Sequence, residues 1–318
     1  MVRQNDYNTN WGLLQEKSYF LGYNQNMGVT FFAILLRIIS NSMSNVYQKQ
    51  LTAKAIDPFL INFIMYLGLT ICCIPIVIRT TFLTFPHQIW TNAILGGMCG
   101  ALGNSYLVKA LKNGELSILG PINAYKSVVA MIFGIILLQE IPSITGLVGI
   151  ILIICGSYFI FDTQEEGFSF KLLKRKDIRY RFYALIFTAI EAVFVKNVIL
   201  YSNIKISFMF WSFFGMVFTG ILLLPKLTNL TSLNQIFTTK KFIFTRLLLI
   251  ILCMGGMQIC TNIVFSRMNV SYGLALFQLS TILSVFLGWH YFKEQQILKK
   301  LLGSSIMIVG AIIIILCK

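Results

Sequence analysis

Ten apolar stretches of about 20 residues, separated by polar segments, dominate this sequence. A transmembrane α-helix needs about 20 mostly apolar residues, and a helix satisfies its own backbone hydrogen bonds inside the hydrocarbon core. The pattern therefore predicts an all-α integral membrane protein with ten transmembrane helices. Their predicted ranges are 28–50, 59–79, 91–111, 116–138, 143–161, 180–201, 207–225, 243–265, 272–291 and 297–316.

The amino-acid composition indicates the same class of protein. Hydrophobic residues make up 57% of the chain and charged residues 12%, whereas soluble domains have about 25% charged residues. The net charge of +15 comes from basic residues that lie mostly between apolar stretches, where they anchor helices at the membrane surface. We therefore predict a multi-pass protein of the cell membrane (inner or plasma), in contact with the lipid bilayer and not with a nucleic acid.

The two halves of the chain share a sequence pattern. Five residues of the first half meet the same residue type 154 positions later: Ser117, Gly134, Glu140, Gly149 and Gly156 recur as Ser271, Gly288, Glu294, Gly303 and Gly310. Earlier in each half the offset is 147, as for "VYQK" at 46–49 and "VFVK" at 193–196. Because five helices is an odd number, the second copy enters the membrane from the opposite face. The sequence thus predicts two inverted five-helix repeats, which in transporters place a site near the bilayer midplane.

The repeated motif also resembles a known family. The segment "GIILLQEIPSITGLVGIILIICG" at 134–156, preceded by "NSYLVKALKNGELSILGP" at 104–121, resembles the EamA-type repeat of the drug/metabolite transporter superfamily. The second copy departs from this pattern, because "KEQQILKK" at 293–300 lacks the proline, and Leu274 and Phe277 replace the Gly-Pro region. The resemblance implies a transporter whose cavity is lined mainly by helices 1, 3, 4, 6, 8 and 9.

The domain organisation follows from the repeat and the resemblance together. We expect a polar N-terminal segment at 1–27, a first EamA-like repeat at 28–161 and a second at 180–318. The basic polar segment 162–179 links the two repeats and divides the ten helices five and five.

Three charged residues fall near the centres of predicted helices: Arg37, Lys126 and Glu191. A charge that faces lipid at the bilayer centre costs at least ~2.5 kcal/mol, so each is expected to face a cavity or another charge. On the first helix, Arg37 and Asn41 begin a polar stripe along one face. We predict that these residues contact a solute, and the alternative is that Glu191 only neutralises Lys126 or Arg37 in a buried ion pair.

Polar side chains also lie inside other helices that the resemblance assigns to the cavity. Asn104 and Gln258 match at the offset of 154, so the repeat places them on opposite walls. The alternative role for such an amide is a single hydrogen bond between helices. The predicted substrate-binding residues are Arg37, Asn41, Asn104, Lys126, Glu191, Gln258 and Gln278, and Glu191 is also the candidate for coupling to a proton.

The repeated Gly and Glu residues are interpreted as parts of the scaffold. Gly149 and Gly156 are seven residues apart on one helix face, as are their counterparts in the second repeat, and this lets another backbone approach closely. Glu140 and Glu294 come just before helix starts, where the dipole of the following helix favours a carboxylate.

The chemistry in the sequence favours transport over catalysis. There is no nucleophile–base arrangement, phosphate-binding loop or metal cluster, so we predict neither an enzyme nor a cofactor or metal. The first hypothesis is a carrier for a small anionic or zwitterionic metabolite that works by alternating access, because the three central charges sum to +1. The second is a proton-coupled exporter of cationic amphiphiles that uses Glu191. The third is a non-transporting membrane subunit or sensor.

Two further properties are left open by the sequence. A monomer and a homodimer are both compatible with the pattern. The distribution of Lys and Arg places the odd-numbered connectors in the cytoplasm and both termini outside, whereas the resemblance implies the reverse orientation.

Overall fold

The computed structural model describes the backbone of residues 5–82, 85–126, 128–129, 144–163, 174–226, 240–268 and 270–316. Every regular element in these ranges is helical. The helices are α1 (Asn5–Ala53), α2 (Pro58–Cys72), α3 (Ile74–Ile78), α4 (His87–Asn113), α5 (Leu116–Leu119), α6 (Ile144–Phe161), α7 (Lys176–Tyr201), α8 (Ile204–Leu223), α9 (Lys240–Arg267), α10 (Val270–Phe277), α11 (Ser280–Phe292) and α12 (Ile297–Leu316).

Seven helical segments of the described chain are long and apolar enough to cross a membrane. They are Gly28–Ala53, Ile144–Phe161, Lys176–Tyr201, Ile204–Leu223, Lys241–Arg267, Gly273–Phe292 and Ile297–Ile314. The other three predicted spans correspond to α2 with α3, to α4, and to the segment that starts with α5. Much of that last segment lies outside the described residues, as do Gly134 and Glu140. The total of ten spans therefore stays a prediction.

The first predicted span is part of a longer helix. The predicted start of the span at residue 28 agrees with the apolar segment Gly28–Ala53, while α1 runs without interruption from Asn5 to Ala53. Polar residues do not prevent a helix from continuing beyond an apolar stretch, because hydropathy reports the membrane environment rather than the backbone conformation.

Three predicted helices are interrupted in the structure. Predicted helix 2 breaks at Cys73 before Pro75, and predicted helix 4 turns after Leu119 into a 3-10 helix at Pro121–Ala124. Both breaks have a local cause, because proline has no backbone N–H to donate to the preceding turn. Predicted helix 9 breaks between α10 and α11, where Gln278 and Leu279 donate backbone hydrogen bonds to residues only three positions back.

The helices α6 and α12 are in close backbone contact. A Cβ atom added to Gly149 would lie 2.7 Å from the Gly310 carbonyl oxygen, and one added to Gly156 would lie 2.6 Å from that of Gly303. The glycine spacing thus allows the close approach that the sequence predicted. Because the lower-numbered glycine of α6 meets the higher-numbered glycine of α12, the two helices run antiparallel.

Glycines also let α4 pack closely on α7. A Cβ atom at Gly103 would lie 2.6 Å from the Thr188 side chain, and one at Gly100 would lie 2.5 Å from Oε1 of Glu191. Glu191 therefore lies directly against the backbone of α4. α1 of the first half likewise packs against α9 of the second half.

Glu294 corrects one interpretation of the sequence. We expected its carboxylate to interact with the start of the helix that follows it, α12. Instead it accepts hydrogen bonds from the backbone N–H groups of Leu116 and Ser117, both at 2.8 Å, and so caps α5 in the other half of the chain. The carboxylate still meets the positive end of a helix dipole, but that helix is about 180 residues away in sequence.

Ion pairs between described residues gather at this end of the bundle. Lys49 pairs with Glu294, Lys300 with Glu115, and Lys299 with Asp162. The first two pairs join residues of the first half to residues of the second half. We refer to this end as the ion-paired end.

Candidate functional site

A polar cavity of about 110 Å³ lies at the centre of the bundle. On α7 its lining extends from Arg181 to Val195, a distance of ~21 Å at 1.5 Å per residue. The lining comes from α1, α4, the turn after α5, and α7 to α11. Its polar members are Arg37, Asn41, Asn45, Asn104, Asn123, Lys126, Arg181, Thr188, Glu191, Trp211, Gln258, Thr261, Ser280 and Ser284.

Most of the predicted substrate-binding residues lie around this cavity. Six of the seven line it: Arg37, Asn41, Asn104, Lys126, Glu191 and Gln258. The seventh, Gln278, is buried in the break between α10 and α11, next to the lining residue Phe277. The structure thus brings these side chains together, while their contact with a solute stays a prediction.

Glu191 is held by a neutral partner. Its Oε1 accepts a hydrogen bond from the indole Nε1 of Trp211 at 2.5 Å. In the described part of the chain, neither Lys126 nor Arg37 forms an ion pair with Glu191. The structure therefore does not contain the buried ion pair that was the alternative interpretation of these charges.

Asn104 lines the cavity and also forms the hydrogen bond between helices that was its alternative role. Its Nδ2 donates a hydrogen bond to the Tyr66 hydroxyl on α2 at 2.7 Å. The Tyr66 ring in turn packs edge-on against Trp211, with 4.9 Å between ring centroids. Asn104 and Glu191 are therefore connected through two buried aromatic side chains. Gln258 is similarly engaged, since its Nε2 donates to Asn262 at 3.0 Å.

Arg181 is a cavity residue that the sequence interpretation missed. It lies at the start of predicted helix 6, where a basic residue is ordinarily a surface anchor. Its side chain is buried, with Nε donating to the Leu119 carbonyl oxygen at 2.7 Å and Nη2 to Oδ1 of Asn123 at 3.0 Å. Its position in the sequence could have indicated this role. Arg181 lies seven residues before Thr188 and ten before Glu191, on the same helix face.

The contacts of Arg181 follow from the break in the helix after α5. In a continuous α-helix the Leu119 carbonyl would accept from the backbone N–H of Asn123, but this N–H bonds to Gly120 instead. Arg181 supplies the missing donor. The Asn123 side chain then donates to Oε1 of Gln278 at 3.2 Å. The two helix breaks that flank the cavity are thus joined by a chain of polar contacts.

Arg37 also lines the cavity, and its side chain stacks on an aromatic ring. Its guanidinium stacks over the Phe277 ring, 3.9 Å from the ring centroid. Its Nε and Nη1 atoms are buried, and no described residue accepts a hydrogen bond from them. The site therefore contains a fixed cationic plane with unused donors.

The lining residues also reflect the internal repeat. Seven pairs of them are related by the two sequence offsets. They are Asn41 with Thr188 and Asn45 with Ala192 at 147, and Asn104 with Gln258, Leu107 with Thr261, Gly120 with Leu274, Asn123 with Phe277, and Lys126 with Ser280 at 154. Positions that the predicted repeat makes equivalent thus face the same space with different side chains.

A bundle of apolar helices around a charged centre defines a multi-pass helical membrane protein. Residues 28–162 match the model of the EamA-like transporter family, which is consistent with the drug/metabolite transporter superfamily. Members of that family are transporters. No curated protein matches the sequence. One protein of known crystal structure shares the fold, with a TM-score of 0.60 and 15% sequence identity over 92% of this chain and 97% of the other.

Proposed function

We propose that this protein is a carrier that moves a small anionic or zwitterionic metabolite across the membrane by alternating access of two inverted halves. The observation that carries the proposal is the charge of the cavity lining. Three basic side chains, Arg37, Lys126 and Arg181, face the cavity together with one acidic side chain, Glu191. Charge inside a membrane protein is costly and usually functional. An excess of cations favours a solute that carries negative charge.

The size of the cavity favours a small solute. Its volume is about 110 Å³, whereas pockets for drug-sized ligands measure roughly 300–1,000 Å³. A bulky cationic amphiphile would need a larger space. A metabolite of a few heavy atoms fits the observed volume and charge.

The contacts between helices support two inverted halves. The antiparallel contact of α6 and α12 pairs Gly149 with Gly310 and Gly156 with Gly303. In the predicted repeat Gly310 is the counterpart of Gly156, and Gly303 is the counterpart of Gly149. A twofold axis between antiparallel helices produces this register, as in transporters with inverted repeats. The ion-paired end would then be the closed side of the carrier in this conformation.

A second candidate function is the proton-coupled export of a cationic amphiphile through Glu191. One observation favours it, namely that no described basic residue pairs with the Glu191 carboxylate. The carboxylate is therefore available to a cationic solute or a proton once it leaves Trp211.

Reconstitution into proteoliposomes tests both functions. We would measure the uptake of labelled alanine, succinate and glycerol 3-phosphate, with tetraphenylphosphonium as the lipophilic cation. The carrier proposal expects uptake of at least one of the first three. It also expects Lys126→Gln to weaken the apparent affinity about ten- to a hundredfold, because a charge-assisted contact is lost, and Glu191→Gln to weaken it less.

The controls separate the alternatives. Lys205→Gln changes an exposed basic residue that forms no ion pair with a described residue, and it should leave uptake unchanged. Uptake of tetraphenylphosphonium alone, abolished by Glu191→Gln, would establish the export function instead. If none of the four compounds enters above empty liposomes, the carrier proposal is wrong and a non-transporting role is favoured.

A further inference from the structure

We propose that Arg37 forms an oxyanion-binding site in the central cavity and holds the carboxylate or phosphate group of the solute. This inference rests on the proposed function and names the group by which the solute is recognised. It is based on the aromatic contact of the Arg37 guanidinium and on its buried donors that have no described acceptor.

The guanidinium of Arg37 has donors without acceptors. Its Nε and Nη1 atoms are buried, and no described residue accepts a hydrogen bond from either. Burying a charged donor without an acceptor is costly in free energy, so such a group in a native structure indicates a missing partner. The partner must reach it from the cavity, which Arg37 lines.

This combination is specific to Arg37. Other described side chains also have buried polar atoms without a partner, among them Gln48, Asn62 and Thr281, but none of these lines the cavity. Arg37 is the one described residue that has both properties. Packing defects are expected anywhere in the protein, whereas unpaired donors of a ligand site are expected in the cavity wall.

The other cavity charges do not compete for this role in the same way. Arg181 already donates to Leu119 and Asn123, so its donors hold the helix break. Glu191 is bonded to Trp211 and forms no ion pair with Arg37 in the described chain. Lys126 adds positive charge to the cavity as a compact ammonium, without the planar set of donors that Arg37 presents.

The environment of Arg37 suits an oxyanion. Phe277, which is fully buried, stacks against one face of the guanidinium at 3.9 Å and so fixes its plane. A planar guanidinium matches the geometry of carboxylate and phosphate oxygens. Asn41, one helical turn from Arg37, also lines the cavity and offers an amide donor.

The test is thermal unfolding of the full-length protein in detergent, with sodium phosphate or sodium acetate compared with sodium chloride at equal ionic strength. The variants are Arg37→Gln, Arg37→Lys and the control Arg246→Gln. Arg246 is well matched, because it stacks on Tyr47 and Phe242 and also has a buried Nε without a described partner, yet it does not line the cavity.

We expect at least one of the two anions to raise the Tm of the wild type and of Arg246→Gln. A ligand that binds only the folded state raises stability with its concentration. The apparent affinity should fall about tenfold or more in Arg37→Gln, and in Arg37→Lys it should be intermediate, because the charge remains and the plane is lost. A response to acetate alone identifies a carboxylate site, and a response to phosphate alone identifies a phosphate site.

Two results would overturn the inference. One is the absence of any anion-specific Tm shift in the wild type up to ~100 mM, which is far above the millimolar affinity of a weak site. The other is an unchanged shift in Arg37→Gln or, if that variant does not fold, in Arg37→Lys. The measurement needs no transport, so binding at Arg37 without uptake would refute only the carrier. Uptake that is unaffected by Arg37→Gln would refute only this site.

Discussion

Lys49 donates a hydrogen bond to the Glu294 carboxylate at 2.7 Å and joins the end of α1 to the turn between α11 and α12. The same carboxylate accepts the backbone N–H groups of Leu116 and Ser117. One buried acidic side chain therefore connects three segments from both halves of the protein. The exposed pair Lys299–Asp162 at the same end makes no comparable set of contacts.

Replacing Glu294 should therefore destabilise the protein strongly. Glu294→Gln leaves Lys49 without its counter-charge in a partly buried position, and we expect a loss of about 3 kcal/mol in the free energy of unfolding. Lys299→Gln breaks the exposed pair and should cost less than about 1 kcal/mol. Denaturant unfolding in detergent micelles measures both. Equal losses in the two variants would contradict the role assigned to Glu294.

The same carboxylate predicts a dependence of stability on pH. Burial acts to raise the pKa of Glu294, but Lys49 and the hydrogen bonds of Ser117 outweigh it, so the pKa lies below its usual value. A carboxyl whose pKa is lower in the folded state stabilises the protein above the unfolded pKa of about 4.3. This contribution is lost as the pH falls through the folded pKa. We expect the Tm to drop below about pH 4 in the wild type and to drop less in Glu294→Gln. If the Tm of both proteins falls equally with decreasing pH, other carboxyl groups determine the acid stability.

The contact between α6 and α12 can be tested with a single added carbon. A Cβ atom at Gly156 would meet the Gly303 carbonyl oxygen at 2.6 Å, and backbone cannot move aside as a flexible side chain can. We expect Gly156→Ala to cost about 1–3 kcal/mol. The control is Gly28→Ala, since a Cβ atom at Gly28 would meet nothing within 4 Å, and this change should be neutral or slightly stabilising. A stable Gly156→Ala protein would mean that the helices are farther apart.

Arg181 should be required for the order of the helix break after α5. Arg181→Gln removes the donor to the Leu119 carbonyl and the contact with Asn123, which leaves a buried acceptor unpaired at a cost of about 1–3 kcal/mol. Hydrogen exchange should increase at residues 119–126 more than in α12. Arg179→Gln, which changes an exposed residue two positions away, serves as the control. Unchanged exchange at the break would show that Arg181 does not hold it.

The accessibility of the cavity can be measured with thiol reagents. Asn41→Cys and Lys126→Cys, in a background without native cysteines, should react with a polar maleimide, because both positions line the cavity. Phe31→Cys, which lies on the exposed apolar surface of α1, should be protected within the bilayer. Failure of positions 41 and 126 to react in any condition, with or without added anions, would count against a solvent-connected pathway.

The sequence by itself determined the class of protein and indicated six of the polar side chains that line the cavity. Hydropathy identifies membrane helices because the bilayer imposes one length and one composition on each span. Charges such as Arg37, Lys126 and Glu191 stood out because lipid tolerates them poorly at the centre of a helix. Glycine spacing in α6 and α12 predicted close packing for a similarly local reason. The internal offsets indicated which positions of the two halves are equivalent.

Only the tertiary structure decided how these parts are connected. The helix break at Gln278 has no proline in the sequence that would predict it. The role of Arg181 depends on a carbonyl about 60 residues earlier in the chain. Glu294 caps α5 and not the helix that follows it, because the positive end of α5 reaches the carboxylate through packing between the halves. Contacts over such distances in sequence leave no periodic signal, since they depend on which helices meet and in which register.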